Sequence, residues 1–192
     1  MKKRIIFFLL IGLGMVNVFL LVVDTSTAHA EPFSLNSAAF KDGATMPKIF
    51  AAPNEPERAC GGQNVSPPLE WSNAPKGTKS YAILMWDQEG QRGFGVSHWV
   101  AYDIPASMTS LKEGDGSEIT TKFVHGAANR GTLKYRGLCP AKGELPHHYQ
   151  ITVMALDIAP GTLKPGLTRE AFFEAAKGHS LGAVSIVGLL GY

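Results

Sequence analysis

Prolines and glycines break this chain so often that few stretches between them can hold a helix of useful length. From Pro47 onward the interruptions fall at Pro53, Pro56, Gly61-Gly62, Pro67-Pro68, Pro75, Gly77, Pro105, Gly114, Gly116, Pro140, Pro146, Pro160 and Pro165. Proline removes a backbone donor and clashes inside a helix, whereas short strands fit between such breaks. Four apolar runs survive: "KSYAILMWD" (79–87), "VSHWVAYDI" (96–104), "YQITVMALDI" (149–158) and "GAVSIVGLL" (182–190). Each reads as a strand. One helix is expected near 169–177, with Thr168 as N-cap, Glu170 and Glu174 as its acids, Phe172, Phe173, Ala175 and Ala176 as its apolar residues, and Gly178 as the stop. Four strands against one helix predict a mainly β chain, either a sheet sandwich or a partly closed barrel with peripheral helices.

The first thirty residues belong to a different class. Lys2, Lys3 and Arg4 precede an apolar run from Ile5 to Val23, and small polar residues lead to Ala28-His29-Ala30. This is the layout of a secretory signal peptide with an A-x-A cleavage site, which leaves residues 31–192 as one exported domain, periplasmic or secreted. An uncleaved membrane anchor is the competing reading, weakened by Gly12, Gly14 and Asn17 within the run. Of the 18 basic and 16 acidic side chains, Lys2, Lys3, Arg4 and Asp24 lie in this leader, so the remainder is balanced at 15 of each. No basic run remains as a footprint for nucleic acid or an anionic membrane surface, and no stable membrane span is expected after cleavage.

Cys60 and Cys139 are the two cysteines, and an even count in an exported chain makes them a disulfide candidate. Two separately buried thiols remain the alternative, because spacing alone does not bring two Cα atoms together.

Histidines at the ends of apolar strands are the unusual feature. Strict alternation along 96–104 puts Val96, His98, Val100 and Tyr102 on one face and Ser97, Trp99, Ala101 and Asp103 on the other. Alternation from His147 groups it with Tyr149, Ile151 and Val153, with His148 opposite. The run 79–87 ends in Asp87 after Trp86. If these strand ends meet, Asp87, His98, His147 and Tyr149 form the base of a small pocket. Trp86 reads as either core or pocket wall. Arg92 and Phe94, in the adjoining glycine loop, are open to a gating or a simply solvated reading, and His125, beside a glycine, is expected either to be exposed or to cap a helix C-terminus.

Several motifs, in order, resemble those of the phosphatidylethanolamine-binding proteins, in the bacterial branch often labelled Raf-kinase-inhibitor-like. They are "CGGQNVSPPLEW" (60–71), "APKGTKSYAILMWD" (74–87), "GFGVSHWVAYDIPA" (93–106) and "NRGTLKYRGLCPAKGELPHHYQITVMALD" (129–157). The resemblance implies a large antiparallel sheet packed on a smaller one, and a pocket for phosphate-like or carboxylate anions. It implies that Asp87 stands for the first acid of a D-P-D-A-P motif, His98 for the histidine of H-W, Pro140 for the first proline of a G-P-x-P-P turn, and His147 and Tyr149 for the ends of H-R-Y. Three departures fall on the rim: Glu89 is the second acid in "DQEGQ", Ala141 replaces the turn's last proline, and His148 replaces the arginine.

The chemistry of such a group can be stated from the residues. Two imidazoles and a phenol can donate to an anion while a carboxylate orients one imidazole and favours its charged form. The expectation is a non-catalytic binding protein for a small anionic ligand or phospholipid headgroup, needing no cofactor. A regulator or inhibitor acting on a protein partner through its surface is the alternative. A hydrolase lacks its nucleophile, since no G-x-S-x-G elbow occurs and Ser66 and Ser97 lie in a proline turn and on the strand face away from His98. A metal site on Asp87, His98 and His147 lacks short-spaced ligand pairs, so none is expected.

Overall fold

Long runs of apolar side chains become long strands in this molecule, and very short strands fill out the sheets around them. The computed structural model describes residues 31–54 and 60–191, so the leader expected over residues 1–30 lies outside the described residues. In chain order the strands are β1 (Ser34–Asn36), β2 (Ala44–Thr45), β3 (Leu69–Ser72), β4 (Ser80–Asp87), β5 (Val96–Pro105), β6 (Ser110–Leu111), β7 (Val124–His125), β8 (His147–Leu156) and β9 (Ser180–Leu190). The helix α1 (Arg169–Ala175) precedes β9. Among the described residues, β2-β9-β8-β4-β5-β7 form a six-stranded sheet and β1-β3-β6 a three-stranded one. All pairings between these strands are antiparallel except that of β2 with β9.

β4 lies at the middle of the large sheet because its sequence is apolar on both faces. Tyr81, Ile83 and Met85 enter the main core with Leu69 and Trp71 of the small sheet. Ala82 and Leu84 face the other way and pack with Val100, Tyr102 and Phe172 of α1. The small sheet is one-sided, as its strict alternation shows: in β3, Leu69 and Trp71 are buried while Glu70 and Ser72 are exposed. α1 is capped as its sequence requires, the Thr168 hydroxyl accepting from the Ala171 N–H at 3.2 Å. It ends two residues short of the expected 177, and Gly178 turns the chain with φ +81°.

Two register shifts in the β4–β5 pairing correct the alternation expected along 96–104. Met85 pairs with Trp99 and Trp86 with Ser97, which leaves His98 as the extra residue of a β-bulge. A bulge puts consecutive side chains on one side. Trp99 therefore joins the main core while His98 beside it also faces the Asp87 side of the sheet. The second shift covers Tyr102 and Asp103, the latter at φ 56°. It returns Ile104 to the face of Ala101. His125 is also unlike its expectation: it pairs with Ala101 in β7 and is 7% exposed. That burial pushes its pKa down.

Candidate functional site

Three strand ends converge at one end of the large sheet's central strands. Asp87 closes β4, His147 opens β8, and the register sets Asp87 opposite both Val96 and Tyr149. Directly opposed residues share a face, so Asp87 and Tyr149 point the same way, and His147 follows Tyr149 by the two-residue period. His98 reaches the same spot by its bulge.

Asp87 organises the cluster. Its Oδ1 accepts the backbone N–H of Glu89 at 3.0 Å and of Gly90 at 2.9 Å, and its Oδ2 accepts from His147 Nδ1 at 2.9 Å. Glycine is required at position 90, where a Cβ would strike Val96 and stand 3.0 Å from Asp87 Oδ2. His98 Nε2 lies 3.8 Å from the same oxygen, an ion contact too long for a hydrogen bond. Burial pushes the Asp87 carboxyl up, but the two imidazoles more than offset it and hold its pKa below the usual value.

His147 has both ring nitrogens against carboxylates, Nδ1 on Asp87 and Nε2 on Glu144 Oε2 at 3.0 Å. A neutral imidazole has one N–H, so only the imidazolium satisfies both acceptors. Burial opposes that charge, yet Asp87 and then Glu144 raise the His147 pKa above its ordinary value. His98 differs: its Nδ1 donates to the Arg136 carbonyl at 2.9 Å, and the Arg136 N–H donates back to the His98 carbonyl at 2.8 Å. Its Nε2 is buried with no hydrogen-bond partner. Tyr149 lies under both rings, with centroids 5.3 Å from His98 and 6.2 Å from His147.

These groups open on a cavity of about 340 Å³ that Asp87, His98 and His147 line. Arg92, Arg130 and Arg136 also line it, as do Glu89 and Glu144. Pro140, Ala141 and Cys139 close one side. Arg92 at φ 58° and Arg130 at φ 63° both occupy the left-handed region, each in a tight turn, Gly90–Gly93 and Asn129–Gly131. Non-glycine residues held there carry strain, which is concentrated at ligand clamps. Cys139 is bonded to Cys60, with Cα atoms 5.3 Å apart, so the disulfide candidate is formed and buttresses the wall.

Of the residues singled out in the sequence, Asp87, Glu89, Arg92, His98, Cys139, Pro140, Ala141 and His147 line the cavity. Tyr149 is fully buried beneath it and supports the two imidazoles. Trp86 and His148 do not line it. Trp86 turns to the opposite face, where the Arg169 guanidinium sits 4.3 Å over its ring and a Cβ at Gly95 would collide with it. His148 points outward and grips Glu89, Nδ1 to Oε1 at 3.0 Å and backbone N–H to Oε2 at 3.1 Å. Arg130, Arg136 and Glu144 are the charged lining residues that sequence reasoning missed. Their one available signal is position, inside or beside the glycine and proline turns flanking the motifs. Among the described residues no group of three or more His, Cys, Asp or Glu side chains is arranged to hold a metal ion.

The two shifts give a pH signature. His147, with its pKa raised above 6.5, contributes stability that is complete below that ordinary value and lost as pH rises through the raised one. Asp87, lowered below 3.8, contributes stability present above that value and lost as pH falls through the lowered one. The pair's contribution is therefore greatest between these two ordinary values. Urea melts across pH 3 to 9 should show the plateau, and a stability that keeps rising past pH 8 would contradict the His147 assignment.

Comparison with known proteins gives one consistent picture. The family model for phosphatidylethanolamine-binding protein matches residues 36–191. The UPF0098 protein YbcL of Escherichia coli is 38% identical over 138 residues, 69% of this chain and 73% of the relative. A putative lipoprotein, LppC of Mycobacterium tuberculosis, is 33% identical over 169 residues, 86% of this chain and 77% of its own. The crystal structure of Escherichia coli YbcL superposes with a TM-score of 0.74 at 29% identity, covering 83% of this chain and 98% of that one.

Proposed function

The chain belongs to the phosphatidylethanolamine-binding protein family, and from that premise we propose that residues 31–192 form an exported, non-catalytic domain that binds a small anionic group in the Asp87–His98–His147 cavity. A phosphoryl group is the preferred occupant, free or as part of a phospholipid headgroup or phosphorylated metabolite. The observation that carries this reading is His98 Nε2, buried in the cavity wall without a hydrogen-bond partner. An unsatisfied buried nitrogen costs about 1–3 kcal/mol, which a ligand atom relieves. Because Nδ1 is committed to the Arg136 carbonyl, the neutral ring offers Nε2 as an acceptor for a P–O–H, and the charged ring offers it as a donor to a P–O⁻. Arg92 and Arg130 line the same cavity, and a guanidinium carries the planar donors that match phosphoryl oxygens.

A purely binding role fits the serines. Ser66 is fully buried with its hydroxyl accepting from the Gly116 N–H at 2.8 Å, and Ser97 pairs with Trp86 on the face away from the cavity. Neither is poised against an imidazole. Export is supported by the apolar leader, the Cys60–Cys139 bridge and the kinship with a putative lipoprotein.

The test is a thermal-shift screen of the purified, leader-free protein against inorganic phosphate, phosphoethanolamine and acetate. A ligand at one hundred times its dissociation constant adds about 2.7 kcal/mol of stability. Phosphate should stabilise the protein, and the gain should vanish in a His98→Ala/His147→Ala variant. A shift that survives the double substitution, or no shift from any anion, overturns the proposal and favours a protein partner recognised through the surface.

A further inference from the structure

Glu144 holds the position that a ligand would need. His147 Nδ1 is locked on Asp87, so Nε2 is the one donor the ring can offer to the cavity, and Glu144 Oε2 already takes it at 3.0 Å. Both residues line the same cavity. We propose that the Glu144 carboxylate is an internal occupant of the anion seat at His147, which an incoming phosphoryl group displaces and a simple carboxylate cannot.

The two acids on His147 are held very differently. Asp87 is 3% exposed and accepts two backbone N–H groups besides the imidazole. Glu144 has a side chain 50% exposed, and its one other hydrogen bond is to the Ala141 N–H at 3.2 Å. It rides on a turn whose residues, Ala141 through Pro146, are all exposed, with Gly143 at φ +88° and so free of the Cβ penalty there. Asp87 is therefore the fixed partner and Glu144 the exchangeable one.

Discrimination follows from what replaces it. A monocarboxylate brings the same charge and the same two oxygens as Glu144, and must also compete with a group tethered three residues away, at high effective concentration. A phosphoryl dianion brings a further oxygen and a further charge, which Arg92 and Arg130 and the His98 Nε2 can meet. The seat thus selects phosphoryl groups over small carboxylates.

This inference rests on the anion-binding reading above, and calorimetric titration with inorganic phosphate and with acetate at constant pH and salt separates the two. In Glu144→Ala, phosphate affinity is expected to rise about tenfold, the scale of one charge-assisted hydrogen bond. Acetate should become a measurable ligand. Glu144→Gln, which keeps the shape and drops the charge, should move in the same direction. Glu118→Ala removes a carboxylate outside the cavity, one that accepts from Lys134 Nζ at 3.1 Å, and should change phosphate affinity by less than about threefold, since its effect is only a screened field. Equal gains in Glu118→Ala and Glu144→Ala would reduce the effect to net charge and overturn the seat. Unchanged affinity in Glu144→Ala, with the parent protein binding phosphate, overturns the seat and leaves the pocket standing. Absence of phosphate binding in parent and variants alike removes the pocket and the seat together.

Discussion

Opening the Cys60–Cys139 bridge, by reductant or by replacing both residues with alanine, is expected to lower the unfolding free energy by about 4 kcal/mol. The bridge spans a sequence separation of 79, and closing a loop of that length removes much of the freedom of the unfolded chain. Its folded surroundings are already well ordered. The Ala52 N–H donates to the Leu138 carbonyl at 2.9 Å, and the Gly137 N–H donates to Asn64 Oδ1 at 2.6 Å. The segments on either side of the bridge therefore stay registered without it. The loss is accordingly an effect on the unfolded state, and the folded structure near Cys60 should survive reduction. The cavity is more exposed to the change, because Arg136, Cys139 and Pro140 lie on one of the two tied segments and all three line it. Paired urea melts with and without reductant measure the first effect and phosphate titrations the second. A stability difference under about 1 kcal/mol would mean that the unfolded chain is already compact around these residues.

The four long strands and the helix were legible because their signals are local. An apolar run such as "YAILMWD" can be buried on both faces only in the middle of a sheet, and Thr168 with Gly178 brackets a helix without help from elsewhere. β1, β2, β3, β6 and β7 were not legible, since two to four residues carry too little periodicity and acquire their pairing from the rest of the fold. The site divides the same way. Asp87, His98 and His147 were marked by polarity at the ends of apolar strands. The bulge at His98 was invisible, because it depends on the register with β4. Trp86 and His148 could have been placed correctly from the sequence: each neighbours a pocket residue along a strand, so alternation alone sends it to the far face. Arg130, Arg136 and Glu144 sit outside the long strands, and what brings Arg136 to the cavity is a pair of hydrogen bonds between its backbone and His98, one to the imidazole and one to the carbonyl, 38 residues away. Nothing local encodes that.

Asp87→Ala is expected to be the most damaging single substitution at the site. It leaves His147 Nδ1 and the Glu89 and Gly90 N–H groups without their acceptor, and frees the turn that carries Arg92. Removing one partner of a buried ion pair costs about 3–5 kcal/mol, because the other charge stays buried. Phosphate binding should be lost as well, since the ring that presents Nε2 is no longer oriented. Asp87→Asn keeps an acceptor for the two N–H groups and should cost less, while still abolishing the attraction that raises the His147 pKa. Its diagnostic is the pH profile: the loss of stability as pH rises through the His147 value should shrink in both Asp87 variants. Glu144→Ala gives the contrast. Its carboxylate is half exposed, so its removal should cost no more than about 1 kcal/mol, while anion affinity rises. The same imidazole then separates two kinds of acid, a buried one that builds the site and an exposed one that occupies it. If Asp87→Ala melts with the parent protein, or if the two alanine variants lose stability equally, that division is wrong and the histidine is held by the strand pairing around it.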